Sequence, residues 1–252
     1  MSPLLIETCC STFEDAIASE TAGIARIELN TALALGGLTA SIPLLKKIKR
    51  ETNLKVMAML RPREGGMAYR ASEFQIMEYD LEALIDAGAD GIVFGILKED
   101  GSIDRTRTEK LRVRLRNKEA VFHRGFDLTP EPELALEQLI QLEFTRVLTS
   151  GQQPSVLKGE DLLLRLKAQA RERITILPGG GLRADNVLAF VRRTGFREVH
   201  FTPRKLRIDT SSSAKPEVSF GLPGYSHDEI FGDLDEQKLT DIIRQYNCEK
   251  FQ

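Results

Sequence analysis

The sequence predicts a single (β/α)8 barrel, an α/β fold of eight parallel strands alternating with helices. Three observations lead there. The chain has 252 residues, close to the roughly 250 typical of such a barrel. Short apolar runs alternate with longer stretches of helical period, which marks parallel βα units. Several of the apolar runs end in an ionisable residue, and barrel enzymes place their chemistry at the C-terminal ends of strands.

The eight strands are expected at residues 4–8, 25–29, 54–60, 91–95, 120–123, 146–149, 174–177 and 198–201. Stretches such as 73–86 and 131–142 between them carry the helical period. A weak internal repeat supports this register: AGIARI (22–27), AGADGI (87–92) and TGFREV (194–199) share one form. In each, a helix ends at a glycine, which suits the left-handed position that closes a helix, and a strand follows. LEFTRV (142–147) keeps the form without the glycine. An open doubly wound sheet is the alternative; eight evenly spaced units favour closure. One domain is expected over residues 1–252. Two stretches break the rhythm: 62–70 after the third strand, and 205–235 after the eighth, rich in Ser, Pro and Gly. Long loops of this kind are often lids or flexible segments, so 205–235 is expected to be flexible. Residues 236–246 predict a closing helix.

The composition excludes several classes. Thirty-five basic and 37 acidic residues give a net charge of -2. No stretch is both strongly basic and aromatic, so no nucleic-acid partner is expected. No apolar run approaches the roughly 18 residues of a membrane span. The N-terminus lacks a basic region followed by an apolar core, so no signal peptide is expected. Three cysteines, two of them adjacent, do not make a disulfide framework. A reducing cytoplasm is the simplest setting.

The most informative stretch is EAVFHRGFD (119–127), an apolar strand that delivers His123 and Arg124 at its end, with Asp127 next. Side chains alternate along a strand, so Glu7 shares a face with Cys9, Glu28 with Asn30, and His200 with Glu198. Closure would gather Glu7, Glu28, Arg61, His123 and His200 at one mouth as the candidate catalytic group. Burying such charges unpaired costs several kcal/mol each, on the order of 2–7 for a polar group. They therefore need mutual pairing, a metal or a polar ligand. Strand-end ion pairs, such as Glu7 or Glu28 with Arg61, and a satisfied core histidine at 200 are the structural alternatives.

Carboxylates and imidazoles suit Zn, Mn or Mg and acid–base work, with Glu7 or Glu28 as base and His123 or His200 as acid. Arg61 or Arg124 would grip a carboxylate or phosphate bidentately. In LPGGGLRADN (177–186), Gly179, Gly180 and Gly181 follow the seventh strand and precede a helix. Helix starts attract anions, and loops after strands seven and eight often bind phosphate in these barrels; Arg183 would add charge. Ser150, in TSGQ (149–152), offers a hydroxyl to a polar ligand. A tight glycine turn, a solvated Arg183 and a plain turn at 149–152 are the structural counterparts. The inventory fits an isomerase, epimerase or lyase of a small anionic substrate such as a sugar phosphate. No nucleotide cofactor is expected, and a homo-oligomer is left open. Cys9 and Cys10 are candidate metal ligands, because thiolates suit Cu(I). Neighbours on a strand face opposite ways, so the two would share one ion only where the strand has ended. Two small buried thiols are the alternative.

The motifs ETCCS (7–11), RIEL (26–29), GGLTAS (36–41), LRPR (60–63), FHRGFD (122–127), VLTSGQ (147–152) and EVH (198–200) occur in this order and span most of the chain. Together they resemble the CutC family. The resemblance implies a (β/α)8-type barrel, a cytoplasmic protein, and an association with copper homeostasis and copper binding. Many members of that family carry a cysteine after the second strand's Glu-Leu. Asn30 stands there in this chain, so the resemblance leaves Cys9 and Cys10 as the implied copper ligands.

Overall fold

A computed structural model describes residues 4–207, 209–212, 214–215, 218 and 231–248. Eight strands form one parallel sheet: β1 (Leu5–Cys10), β2 (Arg26–Leu29), β3 (Lys55–Met59), β4 (Gly91–Phe94), β5 (Glu119–Phe122), β6 (Arg146–Thr149), β7 (Thr175–Pro178) and β8 (Glu198–His200). Their order is β7-β6-β5-β4-β3-β2-β1-β8. A parallel bridge between Gly179 and His200 joins the two ends and closes the barrel. That closure requires glycine, because a Cβ at Gly179 would stand 2.6 Å from Leu148 Cδ1 and 2.9 Å from His200 Cβ.

Seven helices follow the first seven strands: α1 (Phe13–Thr21), α2 (Ile42–Glu51), α3 (Ala71–Asp86), α4 (Arg105–Arg114), α5 (Pro132–Gln141), α6 (Glu160–Ala170) and α7 (Val187–Thr194). The repeat reads out as predicted: Gly23, Gly88 and Gly195 sit at φ of 85°, 98° and 66°. Glu143, where the fourth copy lacks its glycine, takes the same left-handed turn at φ 56°. The backbone path holds there without the residue that favours it.

β4 and β6 are buried throughout, as strands covered on both faces must be. Their outward side chains, Phe94 and Val147, join the layer between sheet and helices. The barrel interior is divided. Met57, Met59, Val93 and Val121 form a small apolar plug from β3, β4 and β5. The side formed by β1, β2 and β8 is polar, carrying Glu7, Arg26, Glu28 and His200.

The segment 205–235 differs from the expected loop at both ends. Residues Arg204–Arg207 (β9) pair antiparallel with Phe231–Leu234 (β10), and α8 (Glu236–Cys248) then packs Leu239 and Ile242 into the core. Positions 208, 213, 216–217 and 219–230, on which most of the flexible-loop expectation falls, lie outside the described residues. The hairpin is rooted beside the end of β1. Arg204 Nη2 donates to the Cys9 carbonyl at 2.6 Å, and the Cys9 N–H donates to Thr202 Oγ1 at 2.7 Å. Asp15, in α1, accepts from the N–H groups of Ser11 (3.1 Å) and Leu234 (2.9 Å) and faces Arg204 at 3.6 Å.

Asp15 is 2% exposed, so removing its carboxylate strands the buried Leu234 N–H and the part-buried Ser11 N–H and takes the counter-charge from Arg204. Asp15→Ala is expected to lower the unfolding free energy by about 3 kcal/mol. Asp15→Asn keeps one acceptor and should cost less; urea denaturation of the two variants checks the order.

Candidate functional site

The alternation of each strand decides what reaches the mouth. Inward positions carry Glu7 and Cys9 on β1, Glu28 and Asn30 on and after β2, Arg61 after β3, His123 after β5 and His200 on β8. The parallel register sets Glu7 opposite both Arg26 and His200, and Cys9 opposite Glu28.

Glu7 is fully buried and fully engaged. Its Oε2 accepts from Arg26 Nε at 2.6 Å, its Oε1 lies 3.0 Å from His200 Nδ1, and Arg26 reaches on to Glu198 at 2.7 Å. Burial alone would raise its pKa, but the His200 hydrogen bond and the Arg26 charge outweigh it and bring the group to about 2. An ionised Glu7 only accepts, so His200 Nδ1 carries the proton and Nε2 is left for other work. Burial works against a charged His200, yet Glu28 and Glu7 raise its pKa.

Glu28 is the contrasting carboxylate. Burial, reinforced by the charge of Glu7, raises its pKa. Its Oε1 accepts from Asn30 Nδ2 at 2.9 Å and sits 3.9 Å from Cys9 Sγ; its Oε2 is buried without a partner among the described residues. The Cys9 thiol is pushed well above the usual range, first by burial and then by Glu28. Ligand atoms of Cys9, Glu28 and His200 lie within 4.8 Å of one another. Thiolate, carboxylate and imidazole are all ligands of tetrahedral metal sites.

Cys10 stands apart. β1 has not ended at Cys9, so Cys10 points into the helix layer, with Sγ 3.5 Å from Ser19 Oγ. Burial pushes its thiol up to about 12. The adjacent cysteines thus face opposite sides of one strand and do not converge on a single ion.

Arg61, His123 and Tyr69 form a second polar group. Arg61 Nη1 donates to the carbonyls of Leu35 (3.0 Å) and Gly37 (2.9 Å), and Nη2 to that of Gly65 (2.8 Å). These bonds clamp the loops after β2 and β3 together. They consume both Nη1 protons, so the two-pronged grip expected of Arg61 is already spent on backbone. His123 Nδ1 accepts from the Gly125 N–H at 3.0 Å, which puts the ring proton on Nε2. Burial lowers the His123 pKa to about 4, and the Arg61 charge adds to this. Burial pushes the Tyr69 hydroxyl up to about 12. Among the described residues, buried Arg61 Nε, His123 Nε2 and Tyr69 Oη have no hydrogen-bond partner.

A third group joins two loops. Asp127 accepts from Thr149 Oγ1 (2.5 Å), from the N–H groups of Ser150 and Gln152 (3.1 Å each), and from Arg124 Nε (2.8 Å). It ties the loop after β5 to the loop after β6, and Arg124 Nη2 donates to Ser150 Oγ at 2.8 Å. Asp127, Arg124 and Ser150 thus hold one another. The Arg124 guanidinium also lies over Gly180, where a Cβ would stand 3.2 Å from Cζ. Residues 182–186 separate Gly181 from α7, so the glycine turn does not open directly into a helix start. Arg183 is exposed.

Arg26, Asn30 and Tyr69 were not among the candidate site residues. Arg26 shares the strand face of Glu28, a parity visible in the sequence. Tyr69 comes from a loop and left no periodic signal.

The class is therefore a closed (β/α)8 barrel with a buried, unevenly charged C-terminal mouth. The CutC family model matches residues 4–205, and the chain belongs to the CutC family. A family protein CutC of Treponema denticola is 44% identical over 244 residues, 97% of this chain and 99% of that one. The human copper homeostasis protein cutC homolog is 38% identical over 217 residues, 86% of this chain and 80% of its own. The crystal structure of CutC from Streptococcus agalactiae superposes with a TM-score of 0.75 at 32% identity, covering 78% of this chain and 97% of that one.

A pH prediction follows from His123. Its folded pKa of about 4 lies below the unfolded value of 6.5. As pH falls from 6.5 towards 4, the unfolded chain gains a proton that the folded ring refuses, so stability drops. Comparing wild type with His123→Gln isolates this from the opposing uptake at Glu28. The variant should lose about 3 kcal/mol less across that window, measured by denaturant melts at several pH values.

Proposed function

We propose that this is a cytoplasmic metal-binding protein of copper homeostasis, with Cys9, Glu28 and His200 as its ligands. The observation that carries this is the convergence of a thiol, a carboxylate and an imidazole within 4.8 Å. Two features support the fit. Among the described residues Glu28 Oε2 is a buried acceptor with no partner, which a cation would satisfy. Glu7 holds His200 by Nδ1, the carboxylate–histidine support typical of metal-bound imidazoles. Cys9 is the soft donor that favours Cu(I), while the full set suits Zn equally well. The names of the human and mouse relatives connect the family to copper.

Titration of Cu(I) and of Zn(II) under reducing conditions tests this. Cys9→Ser should weaken binding at least about tenfold, Cys10→Ser should leave it unchanged, and Glu7→Gln should weaken it about 10- to 100-fold. Equal affinity in wild type and Cys9→Ser would remove the site. All three ligands hold their protons more tightly than free side chains do. Affinity should therefore rise with pH, at least about tenfold per unit between pH 6 and 8, because the Cys9 proton must leave.

A second reading, acid–base catalysis on a small anionic substrate, is favoured by the opposite shifts of two neighbouring carboxylates. Environments that push paired pKa values apart mark acid and base assignments. Glu7 stays ionised and orients His200; Glu28 is the carboxylate able to move a proton. Deuterium incorporation from solvent into candidate sugar phosphates and sugar acids, followed by NMR, reads such chemistry. Glu28→Gln should abolish it while Cys10→Ser preserves it.

A further inference from the structure

The group formed by Arg61, Tyr69 and His123 is not used by the metal site. Arg61 is 6% exposed, Tyr69 5% and His123 4%. Among the described residues no carboxylate pairs with Arg61; its recorded partners are three backbone carbonyls and no acid. A buried guanidinium without a counter-charge is costly, and proteins keep such groups where an anion arrives. The segment 65–69 joins the three: Arg61 Nη2 donates to the Gly65 carbonyl at 2.8 Å, and a Cβ at Gly125, whose N–H donates to His123 Nδ1, would stand 3.6 Å from Met67 Cγ. The Arg61 charge acts on both Tyr69 and His123.

Each presents one buried, unused polar atom, and each of those atoms is a donor. Arg61 Nε–H is a donor by chemistry. His123 Nε2–H is one because Nδ1 already accepts from Gly125. The Tyr69 hydroxyl remains protonated at neutral pH and can donate. Tyr69 is held from both ends: Arg63 stacks over its ring at 5.1 Å, and Arg107 Nη1 donates to its carbonyl at 2.7 Å. Three fixed donors around one net positive charge match a singly charged, flat acceptor better than a phosphate dianion.

We infer that Arg61, Tyr69 and His123 form a pocket for the carboxylate of a small organic acid. This deepens the enzyme reading above and rests on it for its meaning, since the pocket would hold the substrate's anionic end. The unpartnered acceptors Glu28 Oε2 and Asn30 Oδ1 then face the remainder of the molecule, which selects acids bearing hydroxyl groups. Tyr69 becomes a substrate-positioning residue.

The test uses the full-length protein and three sets of probes: lactate, glycerate and gluconate; the neutral glycerol and glucose; and inorganic phosphate. Thermal shift and calorimetry should show binding of one or more hydroxy acids and none of the neutral compounds. Tyr69→Phe is the decisive variant. Among the described residues its hydroxyl makes no hydrogen bond of good geometry and lies only near the Arg61 guanidinium, so the unliganded protein should melt close to the wild-type temperature. Its affinity for the acid should fall about tenfold or more, the weight of one hydrogen bond to a charged group. His123→Gln is the second variant and should weaken the acid similarly. The inference is overturned if no hydroxy acid binds, if phosphate alone binds, or if Tyr69→Phe binds the acid as tightly as wild type. An acid that binds in a Tyr69-dependent way but shows no solvent exchange leaves the pocket standing and removes the catalytic reading instead.

Discussion

The ionised carboxylate of Glu7, sealed inside the barrel between Arg26 and His200, is the constraint on which the rest of the mouth depends. It lies where β1 meets β2 on one side and β8 on the other, so one side chain braces three strands. Leaving a buried carboxylate without these partners would cost several kcal/mol, about 3–5 when one member of such a pair is removed. Because both oxygens are occupied, Glu7 fixes the tautomer of His200. Its charge also raises the pKa of Glu28. Glu7 thereby bears on the protonation of both neighbours.

The division of the barrel interior explains why the polar groups separate into sets. The plug of Met57, Met59, Val93 and Val121 fills the side of β3, β4 and β5. Glu7, Arg26, Glu28 and His200 lie on β1, β2 and β8, while Arg146 of β6 reaches in beside Met57 and pairs with Glu119 of β5. Arg61 and His123 follow β3 and β5, and among the described residues no carboxylate pairs with either. The group of Cys9, Glu28 and His200 and the group of Arg61, Tyr69 and His123 are consequently different in kind: the first holds its protons tightly, and the second carries the positive charge of Arg61. Asp127 contributes to neither. It spends its carboxylate holding the loops after β5 and β6 in place, which keeps His123 and Arg124 at fixed positions.

Much of this was legible in the chain. The strand–helix rhythm and the glycine repeat located the βα units, since both depend on local periodicity and on backbone angles that few residues adopt. Glu143 shows the limit of that logic, because the fold imposes a left-handed turn on a residue that does not favour it. Strand alternation also placed Glu7, Glu28 and His200 on one interior, and it anticipated that Cys9 and Cys10 part company while the strand continues. It did not show that 205–235 begins and ends as a hairpin. Arg204 is held there by Asp15, a contact between distant parts of the sequence.

The sequence by itself determined the barrel, the inward parity of each strand and the residue types available at the mouth, because these follow from local pattern and side-chain chemistry. Only the tertiary structure decided how those residues are used. Whether a buried carboxylate is held ionised depends on which cation the neighbouring strand brings into register, and so Glu7 and Glu28 are shifted in opposite directions. Whether an arginine can receive a ligand depends on how many carbonyls surround it, and so Arg61 kept Nε while its Nη1 went to the loops. Tyr69 became part of the mouth because a loop folded over Arg61. Burial and hydrogen-bond partners are properties of the closed barrel and of no single segment.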